Sequence, residues 1–374
     1  MRKEKINSLK KIIKILNHEN YKIIQYFPYS FSYLAIAKEL ENIVNFFLRK
    51  KHLLFYFSLF PSFYLLFLNR RIKILNKILL LNKLFDLKEV NKFFKKKDIK
   101  TFIKIGIIKK IKKKYQFNLS FIPYKNFIFI RDPHHIYEKW LDKKKSINKI
   151  WMGADSIIFL RFLNKYLKTN NFDKVLEIGS GSGIVINSIS DKFNKCEAID
   201  INKRAVEFTL INSKINNIKN LKVYKSNLYK RVKGRFDLII ANPWFVDLKK
   251  QGLEEAPGIV RYLDKYLLNS GKCLMIMNSY INIKKRSDTL EDFFSNLLKK
   301  KNFDINLYSN GYFYEFNRHK EYKKYNIDYA ASYNVEIIIN GSGMLKKFEA
   351  PFLRRMRDFF FLKILSLLKK MRTF

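Results

Sequence analysis

The sequence predicts an α/β protein in which a Rossmann-like, doubly wound sheet of seven strands follows a helical N-terminal accessory region. Three observations lead there. From Val175 onward, short apolar runs alternate with helical stretches, the pattern of βαβ units and a parallel sheet. A turn with glycines at 179, 181 and 183 directly follows the first of those runs. The chain has 374 residues, which leaves room for two domains at about 150 residues each.

Taken in order, residues 1 to about 90 are apolar and Lys-rich at helical spacing, as in INSLKKIIKILN and IKILNKILLLNKLF. Within them, Leu53 to Leu68 is almost wholly apolar. It falls short of the ~18 residues of a spanning helix, and Pro61 lies at its middle, so buried core helices are expected and stable membrane insertion is not. A helix is predicted over Leu87 to Lys97. A second lies in Phe102 to Ile111, where Gly106 can end it. Two short strands are expected around Pro123 in YQFNLSFIPYKNFIFIRD. Helix, helix and β-ribbon is a winged-helix-like order, which suits either substrate docking or a structural cap. The seven sheet strands are placed at Val175–Ile178, Cys196–Asp200, Leu221–Lys225, Phe236–Ala241, Lys272–Asn278, Ile305–Ser309 and Val335–Asn340. Between the last two, the Tyr-rich stretch 312–333 forms a basic excursion too long for a simple hairpin. Phe352 to Phe374 reads as a basic amphipathic helix. The domains expected are therefore 1–145 accessory, 146–345 carrying the α/β sheet and 346–374 the C-terminal helix.

The formal net charge is +43, which points to an anionic partner such as nucleic acid. Lysine carries most of it, alongside abundant Ile, Asn, Phe and Tyr, the joint bias an AT-rich genome imposes on all its products. Cys196 and Cys273 sit far apart in apolar runs, so buried thiols in a reducing cytoplasm are expected. The His residues are scattered, His134 and His135 reading as a loop feature, and no metal site is expected. The Lys-rich N-terminus lacks the apolar run of a secretory signal.

The strongest motif is VLEIGSGSG, Val175 to Gly183. Gly179, Gly181 and Gly183 let the backbone turn sharply and a ligand approach without a Cβ in the way. The spacing G-x-G-x-G differs from the dinucleotide G-x-G-x-x-G, and Glu177 stands two residues before the first glycine. A carboxylate there would repel a pyrophosphate but suits a ligand carrying an ammonium and a sulfonium. Asp200 closes the second strand, where a carboxylate can accept both ribose hydroxyls. After the third strand, Asn227 can meet an adenine amino group while Leu228 lines the ring.

These elements resemble the class I S-adenosylmethionine-dependent methyltransferases, from about Trp151 to Asn340. The resemblance implies S-adenosyl-L-methionine as cofactor and contacts at Glu177, Gly179, Gly181, Gly183, Asp200 and Asn227. The family more often has Asp at the position of Asn227. Met152–Leu163 resembles the helix that precedes the sheet, which brings Asp155 and Ser156 into consideration.

After the fourth strand comes Asn242-Pro243-Trp244-Phe245, which resembles the Asn-Pro-Pro-aromatic motif of methyltransferases acting on planar nitrogens. The lone pair of such a nitrogen is delocalised. The Asn242 side-chain oxygen and the Pro243 carbonyl can hold its two N–H bonds and favour a pyramidal, nucleophilic geometry. Trp244 replaces the second Pro and removes one φ constraint; Phe245 keeps the aromatic position for stacking. RNA, either rRNA or tRNA, is the expected substrate, with methylation at an exocyclic base nitrogen. DNA and the glutamine amide of a translation-factor protein remain alternatives, as does a non-catalytic RNA- or membrane-binding role. The stretch GLEEAPGIVRYLDKYLLNSGKCLMIMNSY is shared in kind with small-domain rRNA guanine methyltransferases.

Overall fold

The computed structural model describes residues 3–22, 69–133, 149–150, 152–243, 253, 255–283, 285, 287–313 and 319–349. The apolar stretch 53–68, His134, His135 and the helix expected at 352–374 lie outside them. Among the described residues no helix is long and apolar enough to cross a membrane.

Among the described residues a nine-stranded mixed sheet dominates. Its strands are β5 (Lys174–Ile178), β6 (Lys195–Asp200), β7 (Leu221–Lys225), β8 (Phe236–Ala241), β9 (Leu267–Asn282), β10 (Ser287–Asp288), β11 (Phe303–Phe313), β12 (Tyr329–Ile339) and β13 (Leu345–Phe348). The order is β13-β11-β12-β9-β8-β5-β6-β7, with β10 on β9. All seven expected strands are present, in the reversal-containing order of a doubly wound sheet. The last three run longer than the apolar core alone suggests. Strand β9 starts at Leu267 because β8 shifts register between Phe236 and Leu238, opposite Leu267 and Lys272. Strands β11 and β12 pair antiparallel from Phe303↔Ile339 out to Phe313↔Ala330. The Tyr-rich excursion is thus partly a long hairpin, with a helical turn at His319–Lys324.

The chain divides into two compact units. The first comprises Met1–Ile157, Ser180–Asp191 and Ala198–Lys225; the second comprises Ile158–Gly179, Lys192–Glu197 and Ser226–Phe374.

In the first unit, α1 (Lys3–His18) buries Leu9, Ile12, Ile13 and Leu16 at helical spacing. It packs on the helix at Lys203–Ile215. Two short helices, α2 (Arg70–Leu75) and α3 (Leu87–Val90), lead to α4 (Lys96–Lys104). The helix expected over Leu87–Lys97 is therefore two. A capping box between Asp86 and Glu89 opens α3. Phe93 and Phe94 both return their N–H to Val90 O, closing the turn, and Lys95 is extended at φ −65°, ψ 145°. Burial of Phe94, edge-on to Phe102 at 5.5 Å, outweighs continued helix. Helix α4 ends as expected at Gly106 (φ +74°). Ile107 N bonds Phe102 O at 2.8 Å and Gly106 N bonds Ile103 O at 3.1 Å, a Schellman motif.

Two hairpins follow, β1 (Ile108–Ile111) with β2 (Lys114–Phe117), and β3 (Ser120–Tyr124) with β4 (Phe127–Arg131). The ribbon thus has four strands, and Pro123 lies inside β3, opposite Ile128. A two-stranded ribbon tolerates proline because one edge needs no donor. Buried Asn82 ties the hairpins together: its Nδ2 donates to Phe117 O and Leu119 O, and Gln116 Nε2 donates to Asn82 O at 2.6 Å.

In the second unit, α5 (Ala154–Tyr166, from Ile158 on) lies with β5, β8, β9 and the β11–β12 hairpin. Glu336 on β12, 4% exposed, accepts from Tyr166 Oη, Lys272 Nζ at 3.1 Å, Asn306 Nδ2 at 2.9 Å and Tyr308 Oη at 2.9 Å. A buried carboxylate needs this many donors to offset its desolvation.

Candidate cofactor and substrate site

Within the first unit, residues 180–183 of the glycine turn lead into the short helix α6 (Ile184–Ile189), and β6 ends at Asp200 just before α7 (Lys203–Ile215). The turn's three glycines all have positive φ: Gly179 +74°, Gly181 +53° and Gly183 +74°. They divide by surroundings. Among the described residues, a Cβ on Gly179 or Gly181 would meet nothing within 4 Å, whereas one on Gly183 would lie 2.7 Å from Thr209 Cγ2 and 2.8 Å from Asn187 Nδ2. The first two border open space that a ligand can enter, and the third is a packing glycine. Asp200 and Gly181 meet directly: Asp200 Oδ2 accepts the Gly181 N–H at 2.9 Å, and Oδ1 accepts Asn202 N at 2.8 Å. Burial raises the Asp200 pKa above the ordinary carboxylate value, partly offset by bonds from Asn202, Gly181 and Ile201 N–H. Ser180 N also bonds Ile199 O at 3.0 Å, and Thr209 Oγ1 reaches Ser180 Oγ and Gly181 O.

Helix α7 links this turn to the accessory ribbon. Ile130 N donates to Asn212 Oδ1 at 2.7 Å, and Asn212 Nδ2 donates to Ile130 O at 2.9 Å and Ser182 O at 2.8 Å. One helical turn on, Asn216 exchanges the same pair of bonds with Ile128, both 3.1 Å. A rise of about 6 Å over four helical residues nearly matches two residues of strand at about 6.6–6.8 Å. Helix amides therefore stand in for a neighbouring strand along β4. Arg204 pairs with Asp132, whose Oδ2 also accepts Ile150 N at 2.8 Å. Sequence reading missed these residues; the Asn212/Asn216 spacing of four was the available signal.

In the second unit, β5 and β8 pair in parallel, with Glu177↔Ile240 and Ile178↔Ala241. Gly179 and Asn242 therefore follow directly on paired residues of adjacent strands. Glu177 is buried, 2% exposed; Asn242 is half-buried and Pro243 buried. Trp244 and Phe245 lie outside the described residues. Asn227 precedes a 3-10 turn, Leu228–Arg231, without capping it by its side chain. Leu228 takes φ +46°, unusual for a non-glycine residue, with Ser226 Oγ donating to its carbonyl at 2.7 Å. Gly258 leaves the room its side chain occupies: a Cβ there would come 2.5 Å from Leu228 Cδ1. Helices α8 (Ala256–Val260) and α9 (Leu263–Tyr266) follow. Tyr229 stacks on Tyr266 at 4.4 Å.

Of the two acids, Glu177 belongs to the second unit and Asp200 to the first. Among the described residues no cluster of His, Cys, Asp and Glu could hold a metal. Both cysteines are buried and neither is in a disulfide; burial drives the Cys273 pKa far up.

Residues 158–306 match the family model of the methyltransferase small domain. The ribosomal RNA small subunit methyltransferase C of Serratia proteamaculans is 34% identical over 133 residues, 35% of this chain and 37% of that one. The protein of the same name from Salmonella arizonae is 28% identical over 134 residues, 35% of this chain and 39% of that one. The matched part thus spans under two-fifths of the length of these relatives. Among solved structures, the M. jannaschii tRNA m1G37 methyltransferase has 13% identity and TM-score 0.42, covering 60% of this chain and 57% of that one; that likeness is too loose to bear on function.

Proposed function

We propose that this chain, whose residues 158–306 match the methyltransferase small domain, transfers a methyl group from S-adenosyl-L-methionine to an exocyclic base nitrogen of RNA, in the cytoplasm. The observation that carries the proposal is the pairing Ile178↔Ala241, after which the glycine turn and the Asn-Pro turn begin on neighbouring strands. The catalytic part is residues 146–345. The names of the matched relatives support ribosomal RNA as the substrate class.

The residues divide the work. Glu177 and Asp200 supply negative charge, suited to the ammonium group and the ribose hydroxyls. Gly179 and Gly181 keep their Cα positions bare where a side chain would take ligand space, and Gly183 closes the turn. Asn227 and Leu228 attend the adenine. When bound, the cofactor supplies an electrophilic sulfonium methyl. The Asn242 side-chain oxygen and the Pro243 carbonyl accept the two N–H bonds of the target nitrogen. That withdraws its lone pair from conjugation and aims it for in-line attack. Positioning replaces a strong base, and the proton leaves to solvent after transfer.

The test is transfer from labelled S-adenosylmethionine into an extract of cells lacking the protein, followed by ribonuclease, deoxyribonuclease or protease. Label released by ribonuclease, and reduced at least about 100-fold by Asn242→Ala, is expected. Label lost only to protease would replace the base with a protein amide, and no label in any pool would end the enzyme reading.

A further inference from the structure

Between Lys92 and Lys114 the chain carries eleven lysines and one acid, Asp98. Over the whole chain the ratio is only about two basic residues to one acid, 75 against 32. A genome-wide lysine bias would leave the segment near the chain's ratio, so this concentration is local. All eleven lysines are exposed, on α4, the turn before it, and the β1–β2 hairpin. Asp98 is already engaged by Lys11 Nζ at 2.6 Å.

The hairpin bears its charge on two sides. Successive strand residues face opposite ways, and Lys109 and Lys110 are both exposed on β1. Lys110 lies opposite Tyr115, while Ile111 lies opposite Lys114, so each face of the ribbon has a lysine near its tip. Lys112 (φ +53°) and Lys113 make the turn. A ribbon charged on both faces suits the space between two rows of phosphates. A flat anionic bilayer would meet one face only and would favour large apolar side chains for insertion. Among the described residues of this segment, Ile103 is the sole large apolar side chain that is exposed.

This segment is also held firmly. Asn82 joins β2 to the next hairpin, whose β4 is fastened to α7 by Asn212 and Asn216. Helix α1 packs on α7 and reaches the segment through the Lys11–Asp98 pair. A docked partner would therefore be fixed in register with the helix that carries the glycine turn's contacts, which a free basic tail could not achieve.

We propose that the lysine-covered α4–β1–β2 surface docks the paired phosphate rows of an RNA stem. The proposal rests on RNA being the substrate class. It is tested on the full chain with a fluorescent RNA duplex of about 16 base pairs, varying salt. One variant changes Lys109, Lys110, Lys112, Lys113 and Lys114 to Gln. A charge-matched control changes Lys165, Lys168, Lys195, Lys299 and Lys300 to Gln. Each phosphate contact contributes a slope of about 0.7–0.9 in log K against log salt. The hairpin variant is expected to flatten that slope by about 2 or more and to weaken binding at least tenfold at about 0.15 M salt. The control should stay within about threefold, and S-adenosylhomocysteine affinity should be unchanged in both. Equal losses in variant and control, or none in either, would overturn the surface. Loss of binding to phosphatidylserine vesicles with duplex binding intact would replace RNA by a membrane. Hairpin-dependent duplex binding without methyl transfer would leave the surface standing and remove the enzyme reading; transfer with unchanged RNA KM in the hairpin variant would do the reverse.

Discussion

Gly181 and Gly183 sit two residues apart in one turn, both at positive φ, yet substitution by alanine should affect them differently. Left-handed backbone costs a non-glycine residue roughly 1–2 kcal/mol, and both variants carry that term. At Gly181 none of the described residues stands within 4 Å of the new methyl, so the total stays at about 1–2 kcal/mol. At Gly183 the methyl would lie 2.7–2.9 Å from Thr209 and from Asn187 Nδ2. Neither neighbour can swing away without loss. Thr209 Oγ1 holds Ser180 Oγ and Gly181 O, and Asn187 Nδ2 holds Gly183 O at 2.7 Å. Overpacking adds about 1–3 kcal/mol, for a total of about 2–5 kcal/mol. Equilibrium urea unfolding without ligand measures both. Calorimetric titration with S-adenosylhomocysteine measures the opposite ranking, because the Gly181 methyl enters the open side of the turn; a loss of at least about tenfold, or 1.4 kcal/mol, is expected there. If Gly183→Ala costs no more stability than Gly181→Ala, the division into packing and ligand-facing glycines is wrong.

Two further outcomes follow from buried polar groups. Asn212→Leu strips partners from Ile130 N, Ile130 O and Ser182 O, at about 1–3 kcal/mol for each buried group. It should lower the urea midpoint clearly more than Asn216→Leu, whose bonds are only part-buried; equal shifts would refute the role given to Asn212. For Glu336, burial pushes the pKa up, but donors Tyr166, Asn306 and Lys272 outweigh it and leave it below the ordinary value. Its folded pKa lies under its unfolded one, so its contribution is complete above the unfolded pKa and is lost as pH falls through the folded value. Glu336→Gln should therefore flatten the acid limb of a stability-against-pH curve below about pH 4.5; an unchanged limb would count against the network.

Parts of the architecture could be read residue by residue. The seven principal strands were found because apolar runs bounded by turn residues are local signals, and Gly106 ended its helix because φ of +74° is cheap only for glycine. Boundaries that depended on distant partners were not legible. Leu87–Lys97 read as one helix until the burial of Phe94 against Phe102 broke it. Pro123 read as a divider between strands, whereas the pairing with Ile128 keeps it inside β3. Strand β9 read as beginning at Lys272, whereas its pairing with β8 takes it back to Leu267.

The candidate site shows the same division. Strand-end positions were legible from the chain alone: Glu177, the three glycines, Asp200, Asn227 and the Asn242-Pro243 turn are each tied to their own strand by a few covalent bonds. Which glycine faces open space and which is packed was settled by the folded arrangement. That depends on Thr209, brought close by the fold rather than by the chain. The fold also decided that two helix asparagines clasp a strand 82 and 88 residues away. Side-chain amides bond whatever backbone they meet, and nothing in their own neighbourhood of sequence says which backbone that will be.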